Sequence, residues 1–478
     1  MKIHNIRLGL ATNSSSTHSL IFLPRAEDND AEGGEFGWNF FTAASLASRK
    51  LYVACQLYNN LTRTTTPEIA RLVVQKLVGA GDASQVAQLG TEADSAYVDH
   101  QSMYDLPRTW DGKAIDMDFA RAFTKFFLQD GLVVLGGNDN TDDEHPLAST
   151  GETFSLPIPR DSHEDLIARR DTGRGDTAPF WALFNRKTGA KIRFRFEESP
   201  APVEAASTPE LVDIKITGAC SFGCSYCYQG STPEGEVPDY NKISRIADAL
   251  GELKVFEVAL GGGEPTLHPS FVDILASFRR HGVVPNFTTR NLSWLLDPKA
   301  RGPIIENMGA FAFSVDTTGD VRRLVHALET AGLAPDRASV QYVMGAHDRA
   351  QMLEVVRAAH AAGLRTTLLG YKRTGRGADV APSDYSTWID DIRSLKIRSI
   401  GIDTALAAES TEALKAAGVP PYLFHVAEGA FSMYIDAVTS MVGPSSYAPD
   451  KMIKVDLKRL GVADTIRDVF QTFGATAS

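Results

Sequence analysis

The stretch from Leu211 to Cys227 reads LVDIKITGACSFGCSYC, and the rest of the chain is best read outward from it. Val212 to Ile216 alternates apolar and polar residues, the period of a β-strand. The run leads directly into a loop that carries Cys220, Cys224 and Cys227 at the spacing C-x3-C-x2-C. Downstream, β-rich runs recur at Val255 to Leu260, Val283 to Thr288, Ala310 to Val315, Ser339 to Met344 and Arg365 to Leu369, with Ile397 to Ile402 as a candidate seventh. Between them apolar residues fall on one helical face: Ile243, Ile246, Ala247 and Leu250; Phe271, Ile274, Leu275 and Phe278; Met352, Val355, Val356 and Ala359. Strands alternating with amphipathic helices predict a parallel sheet with right-handed crossovers, either curled into a barrel or left open. Both arrangements put the site at the C-terminal ends of the strands. The cysteine loop therefore stands on the functional edge.

The bulk properties bound the remainder. At 478 residues the chain exceeds what one core usually serves, and 43% hydrophobic with 22% charged residues describes an ordinary globular protein. A formal net charge of -11 argues against broad nucleic-acid or anionic-membrane binding. Neither a signal-peptide pattern after Met1 nor an apolar run of roughly eighteen residues occurs, so a cytoplasmic protein without a membrane segment is expected. Of four Cys, three crowd into one loop, which suits metal binding better than a disulfide framework. The divisions expected are an N-terminal region over 1–205 of unnamed fold, the rhythmic region over 206–405, and a C-terminal cap over 406–478 that contains a hairpin at Phe431 to Val442 and a terminal helix.

Thiolates are the usual protein ligands of iron-sulfur clusters, and three of them on a four-iron cube leave one iron open. On spacing alone, a zinc site completed by His or Cys55, or three unrelated thiols, remains an alternative. After the second strand run the chain reads Gly261-Gly262-Gly263-Glu264-Pro265, where small residues permit close backbone approach and Glu264 offers a carboxylate to an ammonium group.

Together, the C-x3-C-x2-C after one strand and the G-G-E-P after the next resemble the radical S-adenosylmethionine superfamily, over roughly Leu211 to Ile402. The resemblance implies a partial (β/α)6-type TIM barrel, within an α/β chain that has an additional N-terminal α+β region and a C-terminal cap. It implies one oxygen-sensitive [4Fe-4S] cluster on Cys220, Cys224 and Cys227, and S-adenosylmethionine chelated to the open iron. Reductive cleavage would give a 5′-deoxyadenosyl radical that takes hydrogen from a substrate. Gly262, Gly263, Glu264 and Pro265 would line the methionine amine, and Tyr226 would pack near the adenine. Thr288-Thr289-Arg290-Asn291 and Ser314-Val315-Asp316 end the third and fourth strands and resemble ribose and carboxylate contacts. Asn291 and Ser314 are the candidates there, ahead of Asp316, although such residues also cap helices. Lys372 and Arg373 follow the sixth strand and would meet the cofactor carboxylate, a substrate anion or solvent.

No Cys follows Cys227, so one cluster is expected and not the several of Cys-rich peptide-modifying relatives. Asp99-His100 and Val133 to Gly137 faintly suggest a cobalamin domain but lack the D-x-H-x-x-G spacing; a strand and a Gly turn explain the second string equally well. His18, in the hydroxyl-rich Thr12 to Ser19, is a candidate proton donor in what otherwise reads as a polar connector, and Cys55 reads as core filler. The expected substrate is a peptide or protein side chain, with a small molecule or nucleotide as the rival and a flavodoxin or ferredoxin as reductant. The competing non-enzymatic readings are a zinc- or cluster-binding protein and a redox sensor.

Overall fold

The structure is a computed structural model that describes residues 2–7, 19–21, 35–37, 40–79, 86–87, 89, 97–98, 103–130, 132–136, 153–154, 165–196, 203–397, 400–419, 424, 426–457 and 461–473. The segments holding His18, Asp99, His100 and Gly137 lie outside those residues. The chain forms two compact units, residues 1–170 with 179–200, and residues 171–178 with 201–478.

The first unit contains strands β1 (Lys2–Arg7), β2 (Ser19–Ile21), β3 (Glu35–Phe36), β4 (Phe41–Ala43), β5 (Tyr97–Val98), β6 (Val133–Gly136), β7 (Thr153–Phe154), β8 (Leu166–Asp171), β9 (Phe180–Asn185) and β10 (Lys191–Arg195). They pair as a sheet ordered β1-β10-β9-β8, a second ordered β4-β6-β2-β7, and the couple β3-β5. Helix Leu46–Leu61 starts on Ser45 and helix Met117–Phe127 on Asp116, each side chain accepting a first-turn N–H. Between them lies an aromatic core in which Tyr52, Phe119, Phe123 and Phe127 are buried. Cys55 is fully buried there as core, and that burial pushes its thiol well above the ordinary range.

The second unit is built on a ten-stranded sheet. Its strands are β11 (Leu211–Thr217), β12 (Glu257–Gly262), β13 (Val284–Thr289), β14 (Phe311–Ser314), β15 (Ala338–Val343), β16 (Arg365–Leu369), β17 (Gly401–Ile402), β18 (Ser432–Asp436), β19 (Met441–Gly443) and β20 (Ile453–Lys454). The order is β17-β16-β15-β14-β13-β12-β11-β18-β19-β20, parallel from β17 through β18 and antiparallel beyond. From β11 to β17 the spatial order equals the chain order, so every crossover of one hand brings its helix to the same face. That face is apolar: Phe287 meets Phe271 of helix Phe271–Arg280 at 5.1 Å and Trp294 at 5.4 Å, and Phe311 meets Trp294 at 5.1 Å between ring centroids. The opposite face carries the alternate residues, among them Asp213, Lys215, Asn286, Thr288, Ser314, Ser339, Gln341 and Thr367, all partly or fully exposed. The polar members of the alternating runs thus have a common destination.

Two strands differ from the expectation by more than one residue at a limit. Val255 and Phe256 do not join β12: Lys254 adopts φ 53°, and the Val255 N–H closes the preceding helix on the Leu250 carbonyl at 2.9 Å. The seventh run contributes only Gly401–Ile402 as strand among the described residues. The expected hairpin at 431–442 forms as β18 and β19, but it extends the large sheet, with β18 covering the free edge of β11. Asp171–Ala178 belongs with this unit because Asp171 accepts the Ser207 N–H at 2.7 Å and the Arg174 guanidinium lies 4.5 Å from the Phe470 ring. No described helix is long and apolar enough to cross a membrane.

Phe287 sits 2% exposed between sheet and helices. Replacing it with Ala is expected to cost about 3–5 kcal/mol of unfolding free energy through lost burial and the cavity left behind. The exposed Ile453→Ala control should stay within about 0.5 kcal/mol. Urea unfolding of the two variants beside the parent checks both.

Candidate functional site

The loops at the C-terminal strand ends are drawn together by backbone contacts that only glycine allows. Gly263 donates its N–H to the Thr217 carbonyl at 2.7 Å, and Glu264 to the Ala219 carbonyl at 2.8 Å. A Cβ on Gly263 would stand 2.1 Å from the Ala219 oxygen, and one on Gly262, at φ 115°, 2.4 Å from the Thr217 oxygen. The close approach read from the sequence is therefore real, and it locks the G-G-E-P loop onto the start of the cysteine loop. Pro265 opens a short 3-10 turn, Pro265–Leu267.

Glu264 is buried, and both its oxygens are occupied by the protein. Oε1 accepts from the Thr266 and Thr289 hydroxyls, each at 2.7 Å, and from the Thr266 N–H at 3.2 Å. Oε2 accepts from the Arg290 N–H at 2.9 Å. Where the sequence suggested a carboxylate held out to an ammonium group, the structure has one that ties the ends of β12 and β13. Asn291 closes a local turn: Oδ1 accepts the Ser293 N–H at 3.0 Å, and Nδ2 donates to Thr266 Oγ1 at 2.9 Å. Ser314 stands half-exposed at the end of β14.

Cys220, Cys224 and Cys227 are free, partly exposed thiols on one folded loop. Cys220 N–H donates to the Thr232 carbonyl at 2.8 Å, and Cys227 N–H to the Cys224 carbonyl at 3.3 Å. A clasp from beyond β16 holds the loop. Arg376 donates its backbone N–H to the Cys227 carbonyl at 3.0 Å, Nε to the Cys224 carbonyl at 2.9 Å, and a terminal N–H to the Ser231 carbonyl at 2.8 Å. Burial first, with added repulsion from Glu264, Cys224 and Cys227 against a backbone hydrogen bond at Phe222, pushes the Cys220 thiol upward. Among the described residues no three Cys, His, Asp or Glu side chains converge as ligands of a single ion.

Around Cys224 lies a network that the sequence did not disclose. Arg290 donates to Cys224 Sγ at 3.1 Å and to the Tyr226 hydroxyl at 3.1 Å, and forms an ion pair with Asp316. The Tyr226 hydroxyl donates to Asp316 Oδ1 at 2.5 Å, and His347 Nε2 lies 3.2 Å from the same oxygen. Burial, reinforced by Asp316, raises the Tyr226 hydroxyl well above its usual range, so it stays a donor. Burial opposes the Arg290 charge, but Tyr226 and Asp316 outweigh it. Asp316, ranked behind Asn291 and Ser314 in the sequence, is the centre of this group.

A second group gathers on the polar face of the sheet. Lys372 lies 3.7 Å from Asp403, 4.8 Å from the Tyr228 ring centroid and 5.0 Å from that of Tyr447. The Tyr447 hydroxyl donates to Glu428 at 2.7 Å, and Gln229 donates to the Tyr434 hydroxyl at 3.2 Å. Register sets Tyr434 beside Asp213, and Asp436 beside Lys215 with a 3.8 Å ion pair. Arg373, its sequence companion, is exposed. Asp213 reaches solvent on the open side of the sheet, yet protein crowds its carboxylate elsewhere. That desolvation, with Glu428, Glu257 and Asp403 against the pull of Lys372, pushes it up to about 7.

The second unit is thus a singly wound parallel α/β sheet with three free thiols in the loop at its C-terminal edge. Residues 214–374, which include the cysteine loop, the G-G-E-P loop and Lys372, match the family described as Radical SAM superfamily. The chain therefore carries a Radical SAM domain over those residues, and enzymes with this domain work with S-adenosylmethionine and a [4Fe-4S] cluster. It is 24% identical over 267 residues to GTP 3′,8-cyclase of Caulobacter vibrioides, covering 49% of this chain and 73% of that protein. It is 27% identical over 194 residues to mycofactocin maturase MftC of Mycobacterium ulcerans, covering 36% of this chain and half of that one. The structure of Streptococcus suis SuiB bound to precursor peptide SuiA aligns with a TM-score of 0.46 at 12% identity, over 64% of this chain and 87% of the other.

The raised Asp213 carboxyl links stability to pH. The folded chain keeps a proton that the unfolded chain gives up near 3.8, so this contribution is complete below 3.8 and is lost as pH rises through about 7. Asp213→Asn, which cannot ionise, should therefore gain stability relative to the parent as pH rises across that window, and the gap should level off above it. Urea midpoints at intervals of pH test this; a constant offset between the two proteins would contradict it.

Proposed function

We propose that this chain holds a [4Fe-4S] cluster on Cys220, Cys224 and Cys227 and uses S-adenosylmethionine to functionalise an unactivated C–H bond, in the first instance on a peptide or protein side chain. The observation that carries the reading is the cysteine loop itself: three free thiols on a loop whose carbonyls Arg376 holds, and whose start at Thr217 to Ala219 meets a Gly262-Gly263 turn that leaves no room for a Cβ. When bound, the cluster and S-adenosylmethionine supply a strong hydrogen-atom acceptor from one injected electron, for which a flavodoxin or ferredoxin is the expected donor. The protein's part is to hold the thiols apart at fixed positions, keep Gly262 to Pro265 flush with them, and present a polar sheet face to the substrate. Gly262, Gly263, Glu264 and Pro265 line the cofactor's amino-acid end in this reading. Tyr226, Asn291 and Ser314 stand along its nucleoside end.

The charge on the sheet face favours a peptide over a nucleotide. Even with Asp213 partly protonated near neutral pH, Glu257, Asp403, Glu428 and Asp436 outnumber Lys215 and Lys372 around it, a field that repels a polyphosphate and suits a cationic or neutral side chain. The nucleotide reading is favoured by the cyclase relative, whose name contains GTP. Substrate recognition by the first unit and a cytoplasmic location complete the proposal.

The test is anaerobic reconstitution of the full chain with iron and sulfide, then dithionite and S-adenosylmethionine, with 5′-deoxyadenosine read by mass spectrometry. The parent should take up about four irons and form product. Cys224→Ala should lose product formation entirely. A loaded parent that neither binds nor cleaves S-adenosylmethionine would sink the enzymatic assignment in favour of a binding protein.

A further inference from the structure

The three cysteines do not stand in equivalent surroundings. Cys224 Sγ receives an N–H from the guanidinium of Arg290 at 3.1 Å, and everything else about Arg290 serves to aim that contact. Its backbone is fixed by the N–H bond to Glu264 Oε2 at 2.9 Å, which ties it to the G-G-E-P loop. Its second terminal nitrogen is held on one side by Asp316 and on the other by the Tyr226 hydroxyl at 3.1 Å. Asp316 is itself steadied by Tyr226 at 2.5 Å, and Gln351 donates to its backbone carbonyl at 2.7 Å. A planar fork pinned along one edge has little freedom left on the other, so the remaining N–H group points at sulfur by construction.

Building on the cluster assignment above, we infer that Arg290 is a positioning residue that sets the reduction potential of the cluster through its hydrogen bond to the Cys224 sulfur. Three thiolates and a sulfide cube make an anionic centre, and adding one electron makes it more so. A fixed cation at hydrogen-bond distance from a ligand sulfur favours the reduced form, and hydrogen bonds to the sulfurs are among the levers that set such potentials. Arg290 and Asp316 are each about one-fifth exposed, so water screens the interaction only in part. Asp316 plays two parts: it orients the fork, and its negative charge offsets some of the cation's effect.

The signs separate these contributions. Arg290→Gln removes the charge and the aimed donor, and should lower the reduced-to-oxidised ratio at a fixed potential about tenfold, a shift of about 59 mV to the negative side for a one-electron couple. Arg290→Lys keeps a charge without the fork and should fall between. Asp316→Asn keeps an amide oxygen that can still accept from the fork but removes the offsetting anion, so it should move the potential the other way. The measurement is an EPR-monitored redox titration of the full-length, anaerobically reconstituted proteins with dithionite as electron donor, each normalised to iron content and without substrate or turnover.

A parent and an Arg290→Gln protein that both carry full clusters and titrate at the same potential would overturn the inference and leave the enzymatic assignment standing. Should Arg290→Gln fail to fold or load, the Arg290→Lys and Asp316→Asn proteins decide. Opposite shifts from the parent uphold the inference, and unchanged potentials overturn it. A parent that takes up no cluster overturns the assignment and this inference with it.

Discussion

A carboxylate removed from water is tolerable only when its lone pairs find donors, and Glu264 finds four. The donors come from Thr266, Thr289 and Arg290, so satisfying one buried charge brings the ends of two neighbouring strands into fixed relation. The same residue's N–H reaches back to Ala219, beside the first cysteine. Removing the carboxylate would free Thr289 and the Arg290 backbone together, and with them the aim of the guanidinium on Cys224. The rest of the strand-end geometry follows from that one desolvated group and the two glycines that let its loop approach.

The sheet separates two kinds of chemistry by its pleat. On the helix face, Phe271, Phe287, Trp294 and Phe311 pack edge to face and stacked, and provide the rigidity that loop positions require. On the other face, charged side chains face a space that no crossover helix fills, because every crossover from β11 to β17 has the same hand. Lys372 survives there between two phenol rings and a set of carboxylates. Burial weakens its charge, but Tyr228, Asp403, Asp213 and Glu428 more than restore it.

Much of this second unit was legible because period-two runs and helical faces alternate without interruption from Val212 onward, and because the chemistry sits on short contiguous motifs. The glycines of G-G-E-P announced a close approach, and the structure supplies the backbone oxygens they approach. Arg290 was in plain view inside Thr288 to Asn291, yet its meaning depends on Cys224 and Asp316, which no local pattern links to it. Arg376, Asp403, Glu428 and Tyr447 were invisible for the same reason: each comes alone from a separate loop. Val255-Phe256 has strand composition but stops short of β12, following the turn at Leu253-Lys254 where Lys254 adopts a left-handed conformation. The first unit resisted reading because its strands are short and pair across long stretches of chain, as β1 does with β10.

The pairing of β18 with β11 has a consequence for how the protein comes into being. Leu211 opens the strand that leads into the cysteine loop, but its partner Ser432 leaves the ribosome only after every other parallel strand of the sheet has been made. Until then the edge of β11 offers unpaired N–H and C=O groups of the kind that recruit strands from other chains. Synthesis therefore passes through an interval in which β11 is present and its flank is bare. During that interval an unpaired edge is open to strands of other chains, a hazard that ends only when β18 docks.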